Sequence, residues 1–497
     1  MFSGLINITI YMLLNKLKTH YKIIILVLVL TLGFLVRLYR FDNPIADWHS
    51  WRQADTSAVS RNFISNGFDL LHPRFDDLSN VPSGLDNPNG YRFVEFPIFN
   101  LFQAGAFKLI GLITLEEWGR LINIVGSLFS GLFLFGLIRK RFGYLAGFLT
   151  LSFFLFIPFN IYYSRTILPD PLMVTATLGA IYFFEKWLRE DKRFKIYDLR
   201  FLVSLVFMIC ALLLKPYALF FTLPLIYLAF EKFGIKFLKK WQLWLFLTIS
   251  LLPLAGWRFW MTQFPQGIPA SAWLFNGNHI RFRPSFFYWI IYERLTKLIL
   301  GYFGVLFLLG VFLRKYTQKE ILFLSAFVLS SLLYVVVIAT GNVQHDYYQI
   351  LIIPSIAVVL GVSGASLVAR LEKIRKFLGV ILFSILILTS FYFSWGQVKD
   401  YFNINNRSIV EAGMFVDKLT PKNAKVIANY NGDTSFLYQT KRKGWASFEH
   451  SLPQMITMGA DYLILVNPTP VDLNLGNTYK ILKQNKDFVI FDLNKKP

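Results

Sequence analysis

Residues 47–56 hold a high density of ionisable side chains for so short a segment. Asp47, His49, Arg52 and Asp55 stand there beside two tryptophans. A helix cap would account for one of the two carboxylates, but it leaves the other carboxylate, the histidine and the arginine unexplained. A positioned carboxylate can take the proton of an acceptor hydroxyl as a general base. The segment therefore predicts a catalytic aspartate, either Asp55 or Asp47.

Four other short segments place polar residues between apolar runs, at residues 95–97, 162–171, 215–217 and 345–348. Each has an ordinary structural explanation: a carboxylate at a helix N-terminus, an arginine–aspartate pair in a turn, a lysine that reaches the interface, or an aromatic belt with polar neighbours. Polar groups near a membrane are costly, however, and tend to be functional. For Glu95 both interpretations stay open. The substrate-binding residues that we predict are His49, Arg52, Glu95, Arg165, Asp170, Lys215, Arg258, His345, Asp346 and Tyr347.

Several of these side chains are cations, as recognition of an anionic substrate requires. Lys215 can bind a phosphate as a point charge, and Arg258, Arg281 and Arg283 can neutralise one through charge-assisted hydrogen bonds. Cations and carboxylates together suit a transfer in which a phosphate leaves and an aspartate deprotonates the acceptor. A sugar carried on a polyprenyl phosphate is a donor of this kind. The acceptor cannot be named from these residues.

The composition indicates what kind of molecule positions these residues. Of the 497 residues 55% are hydrophobic and 16% are charged, with 51 Lys and Arg against 29 Asp and Glu. A soluble domain carries about 25% charged residues, so this chain is typical of a polytopic membrane protein and not of a soluble enzyme. The basic residues cluster between apolar runs, which argues against a nucleic-acid partner. The single cysteine, Cys210, excludes a disulfide framework.

Apolar runs long enough to cross a bilayer, roughly 20 residues each, recur up to residue 395. They predict about eleven transmembrane helices, and residues 1–15 could add an interfacial amphipathic helix. Residues 39–117 form a long polar loop with short helices near 55–66 and 97–112. The predicted spans cover residues 23–36, 118–138, 144–162, 171–187, 200–214, 217–231, 241–259, 287–313, 320–340, 349–369 and 376–395.

The distribution of charge predicts the orientation of these spans. Lys16, Lys18 and Lys22 precede the first span, and every loop that would lie on the same side is basic. The positive-inside rule then places the N-terminus in the cytoplasm. We therefore expect a multi-pass protein of the cell membrane, which in a bacterium is the inner membrane. The candidate residues are expected on its outer side.

The long apolar runs end before residue 397, and shorter strand and helix patterns follow. Residues 1–396 form the predicted transmembrane module, which includes the outer loop 39–117. Residues 397–497 predict a small α/β domain outside the membrane, with strands within 421–430, 460–466 and 488–493 and helices near 407–419 and 450–458. The predicted fold class is therefore mainly α, with a C-terminal α/β domain.

The order and shared sidedness of the motifs resemble the GT-C glycosyltransferases. The similarity is greatest to the dolichyl-phosphate-mannose protein mannosyltransferase-like family, together with the bacterial aminoarabinose transferases, and it covers residues 20–395. The motifs that carry it are HSWRQADTSAVSRNF at 49–63, EFP at 95–97, YYSRTILPDP at 162–171, the Lys215-Pro216 turn and HDYY at 345–348.

This resemblance implies an inverting sugar transfer from an undecaprenyl- or dolichyl-phosphate donor to an acceptor outside the cytoplasm. It also implies a first-loop aspartate as base, often written in the family as an Asp-Glu pair. Here Asp55 is followed by Thr56, so Asp55 is the closest match and Asp47 its rival. Some GT-C members use a divalent metal such as Mg or Mn, for which Asp47, His49, Asp55 and Asp170 are the candidate ligands.

A lipid flippase or transporter is the alternative function. Such proteins are built from paired or inverted repeats and carry charged residues near the middle of the membrane. The sequence shows no repeat, and its ionisable groups lie at the ends of the predicted spans. We therefore favour a glycosyltransferase.

Overall fold

The structure, a computed structural model, describes residues 21–191, 193–375 and 377–497. The interfacial helix predicted at residues 1–15 lies outside these described residues. The first α-helices are α1 Tyr21–Val36, α2 Ser50–Asn66, α3 Ile98–Ile110, α4 Leu115–Phe142, α5 Tyr144–Phe156, α6 Pro158–Tyr163, α7 Pro169–Glu190, α8 Leu199–Leu214, α9 Leu223–Phe233 and α10 Trp241–Met261.

The second half of the chain contains more short helices than the first. Its α-helices are α11 Trp273–Asn276, α12 Pro284–Phe287, α13 Gln318–Val337, α14 Ala339–Gln344, α15 Ile353–Ile374, α16 Leu378–Val398, α17 Arg407–Leu419, α18 Thr434–Thr440, α19 Leu452–Thr457 and α20 Pro470–Leu473. Tighter 3-10 turns lie at Pro216–Thr222, Gly234–Lys239, Pro265–Gly267, Gly277–Phe282, Phe303–Leu313, Asp346–Ile352, Lys399–Phe402 and Asn474–Asn477, and a π-helix at Tyr288–Ile299.

Local signals explain where the long helices begin and end. At the start of α4 the Thr114 hydroxyl accepts from the Glu117 N–H, and the Glu117 carboxylate accepts from the Thr114 N–H, which together form a capping box. Gly143 ends that helix at φ 89°, a conformation that glycine adopts without strain. Pro169 opens α7 at a position where its missing N–H costs nothing.

Fewer helices satisfy the requirements of a membrane span than the eleven predicted. In the part of the chain that the structure describes, six are long and apolar enough to cross a membrane, or seven if one bent pair counts as a single span. The helices α5 and α8 are apolar but too short, with 13 and 16 residues. The six are Leu115–Phe142, Pro216–Lys239, Trp241–Met261, Gln318–Val337, Asp346–Ile374 and Leu378–Leu419. The chain is a multi-pass membrane protein, but the number eleven is not confirmed.

The span predicted at 287–313 is broken in the middle. Residues Pro284–Ile299 and Phe303–Leu313 meet at an angle of 99°. Gly301 sits at the break with φ +52° and comes so close to α16 that a Cβ would lie 1.9 Å from the Ser390 carbonyl oxygen. Hydrogen bonds from the Ser390 and Ser394 hydroxyls to the carbonyls of Leu300 and Leu298 tie the broken helix to α16. A hydropathy pattern cannot show this bend, since both halves are apolar.

A five-stranded sheet forms the C-terminal segment, residues 397–497. Its strands are β1 Lys425–Ala428, β2 Lys443–Trp445, β3 Tyr462–Val466, β4 Lys480–Gln484 and β5 Phe488–Asp492, in the order β2-β1-β3-β5-β4. β1 pairs in parallel with β2 and β3, whereas β5 pairs antiparallel with β3 and β4. Three strands were predicted, and β2 and β4 were not, because β2 is only three residues long and β4 is largely exposed.

Buried side chains hold this sheet between two layers. Ile409 and Val416 of α17 pack on one face, and Met455 of α19 packs on the other. Leu78 belongs to the long first loop, yet it is buried in the second of these clusters. The first loop and the C-terminal segment therefore share a core.

Backbone hydrogen bonds join the same two parts of the chain. The Leu78 N–H donates to the Gly444 carbonyl at 2.7 Å, and the Gly444 N–H donates to the Asp76 carbonyl at 3.0 Å. Asp77 thereby forms an isolated parallel bridge with Gly444 at the edge of β2. The first loop thus adds one short pairing to the edge of the sheet, and these hydrogen bonds fix it to the C-terminal segment.

Candidate active site

A cavity of about 610 Å³ lies where the first loop, the ends of several membrane helices and the C-terminal segment meet. Helix α2 supplies one wall, and the turn after α8 supplies another. The side chains around it are charged, aromatic and aliphatic. The lining includes Trp51, Arg52, Asp55, Phe75, Asp77, Arg92, Phe93, Glu95, Lys215, Tyr217, Leu254, Arg258, residues 268–271 and 273–275, Tyr347, Tyr348, Gly432 and Thr434.

Asp55 lies at the centre of the polar wall and has two partners. Its Oδ2 accepts from an Arg92 guanidinium nitrogen at 2.6 Å, and its Oδ1 accepts from the Thr434 hydroxyl at 2.6 Å. The side chain is 4% exposed. Helix α2 places Asp55 and Arg52 on one face, since residues three apart in a helix are neighbours.

Arg52 is paired with Glu95 across the cavity wall. One guanidinium nitrogen of Arg52 donates to Glu95 Oε1. Burial opposes ionisation of Glu95, but the charges of Arg52 and Lys215 outweigh it, so the pKa of Glu95 lies below its ordinary value. The predicted substrate residues Arg52 and Glu95 therefore stand at the cavity as an ion pair.

Lys215 projects into the cavity from the end of α8. Its Nζ donates to Asp170 Oδ1 at 2.7 Å, and the rings of Tyr217, Tyr347 and Tyr348 lie with centroids 5.5–5.6 Å from it. Asp170 itself is completely buried, and its Oδ2 has no hydrogen-bond partner among the described residues. Asp170 therefore supports the lysine from behind and does not line the cavity.

Arg258 differs from the other cations of the cavity. It is exposed on α10, and the contact recorded for its guanidinium is Met261 Sδ at 3.6 Å. Within residues 21–191, 193–375 and 377–497 it has no ion-pair partner. Arg281 is used differently, because its guanidinium donates to the backbone carbonyls of Phe275 and Val337.

Asp77, Arg92 and Thr434 are among the cavity residues that sequence reasoning missed. Arg92 stands three positions before Glu95 in the same first-loop segment, so its charge could have been noticed. Asp77 follows another aspartate in the first loop, a weak signal. No sequence signal pointed to Thr434, because it lies 379 residues along the chain from Asp55, the residue that it contacts.

Asp77 adds a second carboxyl group to the cavity. It is 1% exposed, and it accepts from the Ser79 N–H at 3.1 Å and from the Ser79 hydroxyl at 2.8 Å. Burial raises the pKa of Asp77 to about 7; the Ser79 donors oppose this rise and the charge of Asp55 adds to it. The cavity thus holds one carboxyl group that titrates near neutral pH.

Asp47, the rival to Asp55, lies outside the cavity. Its Oδ1 accepts from the Gln53 amide at 2.7 Å, and its Oδ2 lies 3.7 Å from an Arg165 nitrogen. Arg165 also donates to the Tyr39 carbonyl and lies over the ring of Phe402. Burial raises the pKa of Asp47, against the lowering effect of nearby arginines. The two residues hold the first loop to the base of the C-terminal segment.

His49 and Asp346 form a second network outside the cavity lining. His49 Nε2 lies 2.7 Å from Asp346 Oδ1. The hydroxyls of Tyr163 and Tyr401 each donate to the Asp346 carboxylate at 2.5 Å. Trp48 donates to it as well. The network joins four parts of the chain and leaves Asp346 fully engaged.

His345 lies between this network and the cavity. Its ring contacts the rings of Trp51, Trp273 and Tyr347, all of which line the cavity. Burial, assisted by the neighbouring His49, lowers the pKa of His345 to about 4. His345 is therefore neutral at pH 7 and packs behind the aromatic wall.

The four candidate metal ligands are not brought together. Asp47 is bound to Gln53 and faces Arg165, His49 contacts Asp346, Asp55 is paired with Arg92, and Asp170 is paired with Lys215. Within the described residues, the one group of three metal-ligand atoms within 4.8 Å of one another is formed by Asp86, Glu449 and His450, none of which lines the cavity. The four predicted ligands therefore do not form a metal site together.

Comparison with known proteins shows what this architecture resembles. A profile of the dolichyl-phosphate-mannose-protein mannosyltransferase family matches residues 89–260. ArnT from Cupriavidus metallidurans bound to undecaprenyl phosphate superposes with a TM-score of 0.61 at 13% identity, over 94% of this chain and 97% of that one. The fold is that of the GT-C glycosyltransferases. The resemblance predicted from the motifs is thereby confirmed.

A second GT-C structure agrees with the first. The oligosaccharyltransferase of Archaeoglobus fulgidus in the apo form gives a TM-score of 0.57 at 11% identity, over 91% of this chain and 70% of that one. The same protein, AglB, in complex with an inhibitory peptide and a dolichol-phosphate gives 0.56 at 11% identity, over 90% and 70%. No curated protein sequence matches the chain. At these identities the similarity establishes the GT-C fold of this membrane protein.

Proposed function

We propose that this protein is a membrane glycosyltransferase that moves a sugar from a polyprenyl-phosphate donor to an acceptor outside the cytoplasm. The observation that carries the proposal is the convergence of Asp55 with Arg52, Arg92, Lys215 and Arg258 around one cavity. The GT-C fold supports it, because ArnT, which is similar over nearly its whole length, is described bound to undecaprenyl phosphate.

In the proposed reaction Asp55 is the general base. It removes the proton of the acceptor hydroxyl as the acceptor oxygen forms a bond to C1 of the sugar. The bond between C1 and the donor phosphate breaks, and the polyprenyl phosphate leaves with the electron pair. One displacement at C1 inverts its configuration. The sugar, hexose or pentose, is not specified by the cavity.

The charges around the cavity support an anionic donor. Arg52, Arg92 and Lys215 each have a carboxylate partner, so their charges are largely balanced. Arg258 is the cavity cation without such a partner within the described residues. We therefore propose that Arg258 binds the donor phosphate and that Lys215, which lines the same cavity, helps to stabilise charge as the phosphate leaves.

Helix α10 offers a path for the lipid tail. Its Leu254 lines the active-site cavity, and one turn earlier its Ser250 and Leu251 line a separate apolar cavity of about 350 Å³. The side chains around that second cavity come mostly from α8, α9 and α10, and almost all of them are hydrophobic. An isoprenoid chain lying along α10 would bury apolar surface there while its phosphate reaches Arg258.

We also propose the surroundings in which the reaction occurs. The basic loops Arg139–Arg141 and Lys236–Lys240 would lie in the cytoplasm and the cavity on the outer face of the cell membrane. Residues 1–396 would act as the catalytic transmembrane module and residues 397–497 as an outer domain. The acceptor would reach the cavity from outside.

The first prediction separates the two candidate bases. Asp55→Asn keeps nearly the same shape but replaces one carboxylate oxygen with an NH₂ group, which cannot accept the hydrogen bond made there. The side chain is then no longer a base, so we expect transfer to fall by about 100-fold or more. Asp47 lies outside the cavity, so the folded Asp47→Asn protein should still transfer the sugar. The measurement is release of undecaprenyl phosphate in membranes of expressing cells, supplied with undecaprenyl-phosphate mannose, glucose, galactose or arabinose.

Two controls make this experiment decisive. Asp69→Asn changes an exposed carboxylate of the same loop and should leave release unchanged. Membranes without the protein set the background. Full activity of Asp55→Asn would exclude Asp55 as the base, and absence of release by the wild-type protein from every donor would contradict the polyprenyl-phosphate proposal.

A further inference from the structure

We propose that Thr434 of the C-terminal segment is a positioning residue for Asp55, so that the active site is completed by that segment and is not confined to the transmembrane module. The proposal rests on the proposed function, in which Asp55 is the base. It gives residues 397–497 a part in the reaction itself, beyond covering the cavity or binding an acceptor.

The two partners of Asp55 hold its carboxylate from two sides. Arg92 occupies one lone pair of Oδ2, and the Thr434 hydroxyl occupies one lone pair of Oδ1, both at 2.6 Å. A carboxylate oxygen has about two acceptor positions. Each oxygen of Asp55 therefore keeps one lone pair free to take the proton of the substrate hydroxyl. The hydrogen bonds from Arg92 and Thr434 together fix the orientation of the carboxylate.

The hydroxyl of Thr434 has a choice between two acceptors. Its single proton can go to Asp55 Oδ1 at 2.6 Å or to the Trp51 carbonyl at 3.2 Å. The shorter contact is to a charged acceptor, and charge-assisted hydrogen bonds are about twice as strong as neutral ones. Thr434 therefore serves Asp55.

Helix α18 is itself held in place, as a positioning element must be. Asp433 caps it by accepting from the Ser435 N–H at 2.8 Å. Further along, the Tyr438 hydroxyl contacts the Ser57 hydroxyl at 2.9 Å, and the Gln439 amide donates to the Ile45 carbonyl at 2.8 Å. The helix that carries Thr434 is thus attached to α2 and to the loop before it.

The test compares two substitutions in the full-length protein. Thr434→Ser keeps the hydroxyl, whereas Thr434→Val keeps the shape and removes the donor. We expect the valine variant to lose about tenfold or more in kcat, since a hydrogen bond to a charged group is lost, with KM for the donor nearly unchanged. The serine variant should stay within about threefold of the wild type. The readout is release of undecaprenyl phosphate from the donor that the wild-type protein uses.

A matched control and a stability measurement exclude a merely structural effect. Thr457→Val removes a hydroxyl that contacts only the Pro453 carbonyl of its own helix, as far as the described residues show, and should change neither constant. Unchanged kcat in Thr434→Val would overturn the proposal. So would a loss confined to KM, or an equal loss in the serine and valine variants with a lowered unfolding temperature.

The failure of this inference is distinguishable from failure of the proposed function. If the wild-type protein releases undecaprenyl phosphate and Asp55→Asn does not, while Thr434→Val matches the wild type, only the role of Thr434 is wrong. If the wild-type protein releases none from any donor, the proposed function fails first.

Discussion

Four aspartates of this chain show how differently one residue type can be used. Asp55 lines the cavity between an arginine and a threonine, and Asp77 lines it beside a serine. Asp170 supports Lys215 from behind, and Asp47 helps to hold the first loop near Arg165. Their roles follow from the partners that tertiary structure brings to them.

The sequence could predict several of the residues that line the cavity more easily than the partner that each one has. Asp55, Arg52, Glu95, Lys215, Arg258 and Tyr347 were singled out because they are polar groups at span ends, and they line one cavity. The same criterion also selected Asp47, Arg165, His49 and Asp346, which lie elsewhere. Spacing along the chain carries no information on which cation will face which carboxylate, since these pairs join segments far apart.

Asp77 supports a prediction about pH and stability. Its pKa is raised by folding from the ordinary aspartate range to about 7. A carboxyl group with a raised folded-state pKa favours the folded protein at low pH, and that contribution is lost as pH rises from about 4 to about 7. Asp77→Asn keeps one oxygen to accept from the Ser79 N–H, and its amide NH₂ can donate to the Ser79 hydroxyl, which can act as an acceptor. The asparagine side chain cannot ionise. We therefore expect the variant to unfold at a higher temperature than the wild type at pH 8, with the difference shrinking at pH 4.5.

Thermal unfolding in detergent at the two pH values measures this difference. One pKa unit corresponds to about 1.4 kcal/mol, so the gain at pH 8 should amount to a few kcal/mol. Asp69→Asn, in an exposed part of the same loop, is the control and should show no pH-dependent gain. A difference of equal size at pH 4.5 and pH 8 would contradict the titration of Asp77.

At the scale of elements, the sequence predicted most of the long helices, but it predicted neither their geometry nor short helices such as α18. The run at 407–419 became α17 with the predicted bounds, because its apolar residues repeat at helical spacing. The apolar run at 287–313 became two helices at 99°, because Gly301 permits a turn that hydropathy does not record. The strands β2 and β4 were missed because one is very short and the other is exposed.

The edge strand β2 supports a prediction about the contact between loop and sheet. A Cβ at Gly444 would lie 1.7 Å from the Val426 carbonyl oxygen in the neighbouring strand. Gly444→Ala must therefore push β2 away from β1, at a cost of about 1–3 kcal/mol. Since Gly444 also pairs with Asp76 and Leu78, the first loop should become more sensitive to proteolysis.

Limited proteolysis and thermal unfolding measure this effect. Gly396→Ala is the control, because a Cβ there meets no atom within 4 Å. We expect faster cleavage within residues 68–90 and a lower unfolding temperature for Gly444→Ala only. Equal behaviour of the two variants would show that the pairing does not hold the loop.

At the scale of the whole molecule, sidedness can be tested directly. In a Cys210→Ser background, Asn89→Cys adds an exposed thiol to the first loop, and Lys236→Cys adds one to a basic loop. A membrane-impermeant maleimide should label Asn89→Cys in intact cells and Lys236→Cys only after permeabilisation. The reverse pattern would show that the proposed orientation is inverted. Labelling of the wild-type protein, whose single cysteine is Cys210, measures the background.

In the proposed reaction, the exposed charge of Arg258 would affect the rate of turnover. A sugar–phosphate–lipid donor is a diester with one negative charge, whereas the spent lipid is a monoester with about −1.5 to −2 at pH 7. The cations that admit the donor would hold the spent lipid more firmly. Its departure would then limit the rate, and a membrane rich in unloaded carrier would slow the enzyme without any dedicated regulatory site.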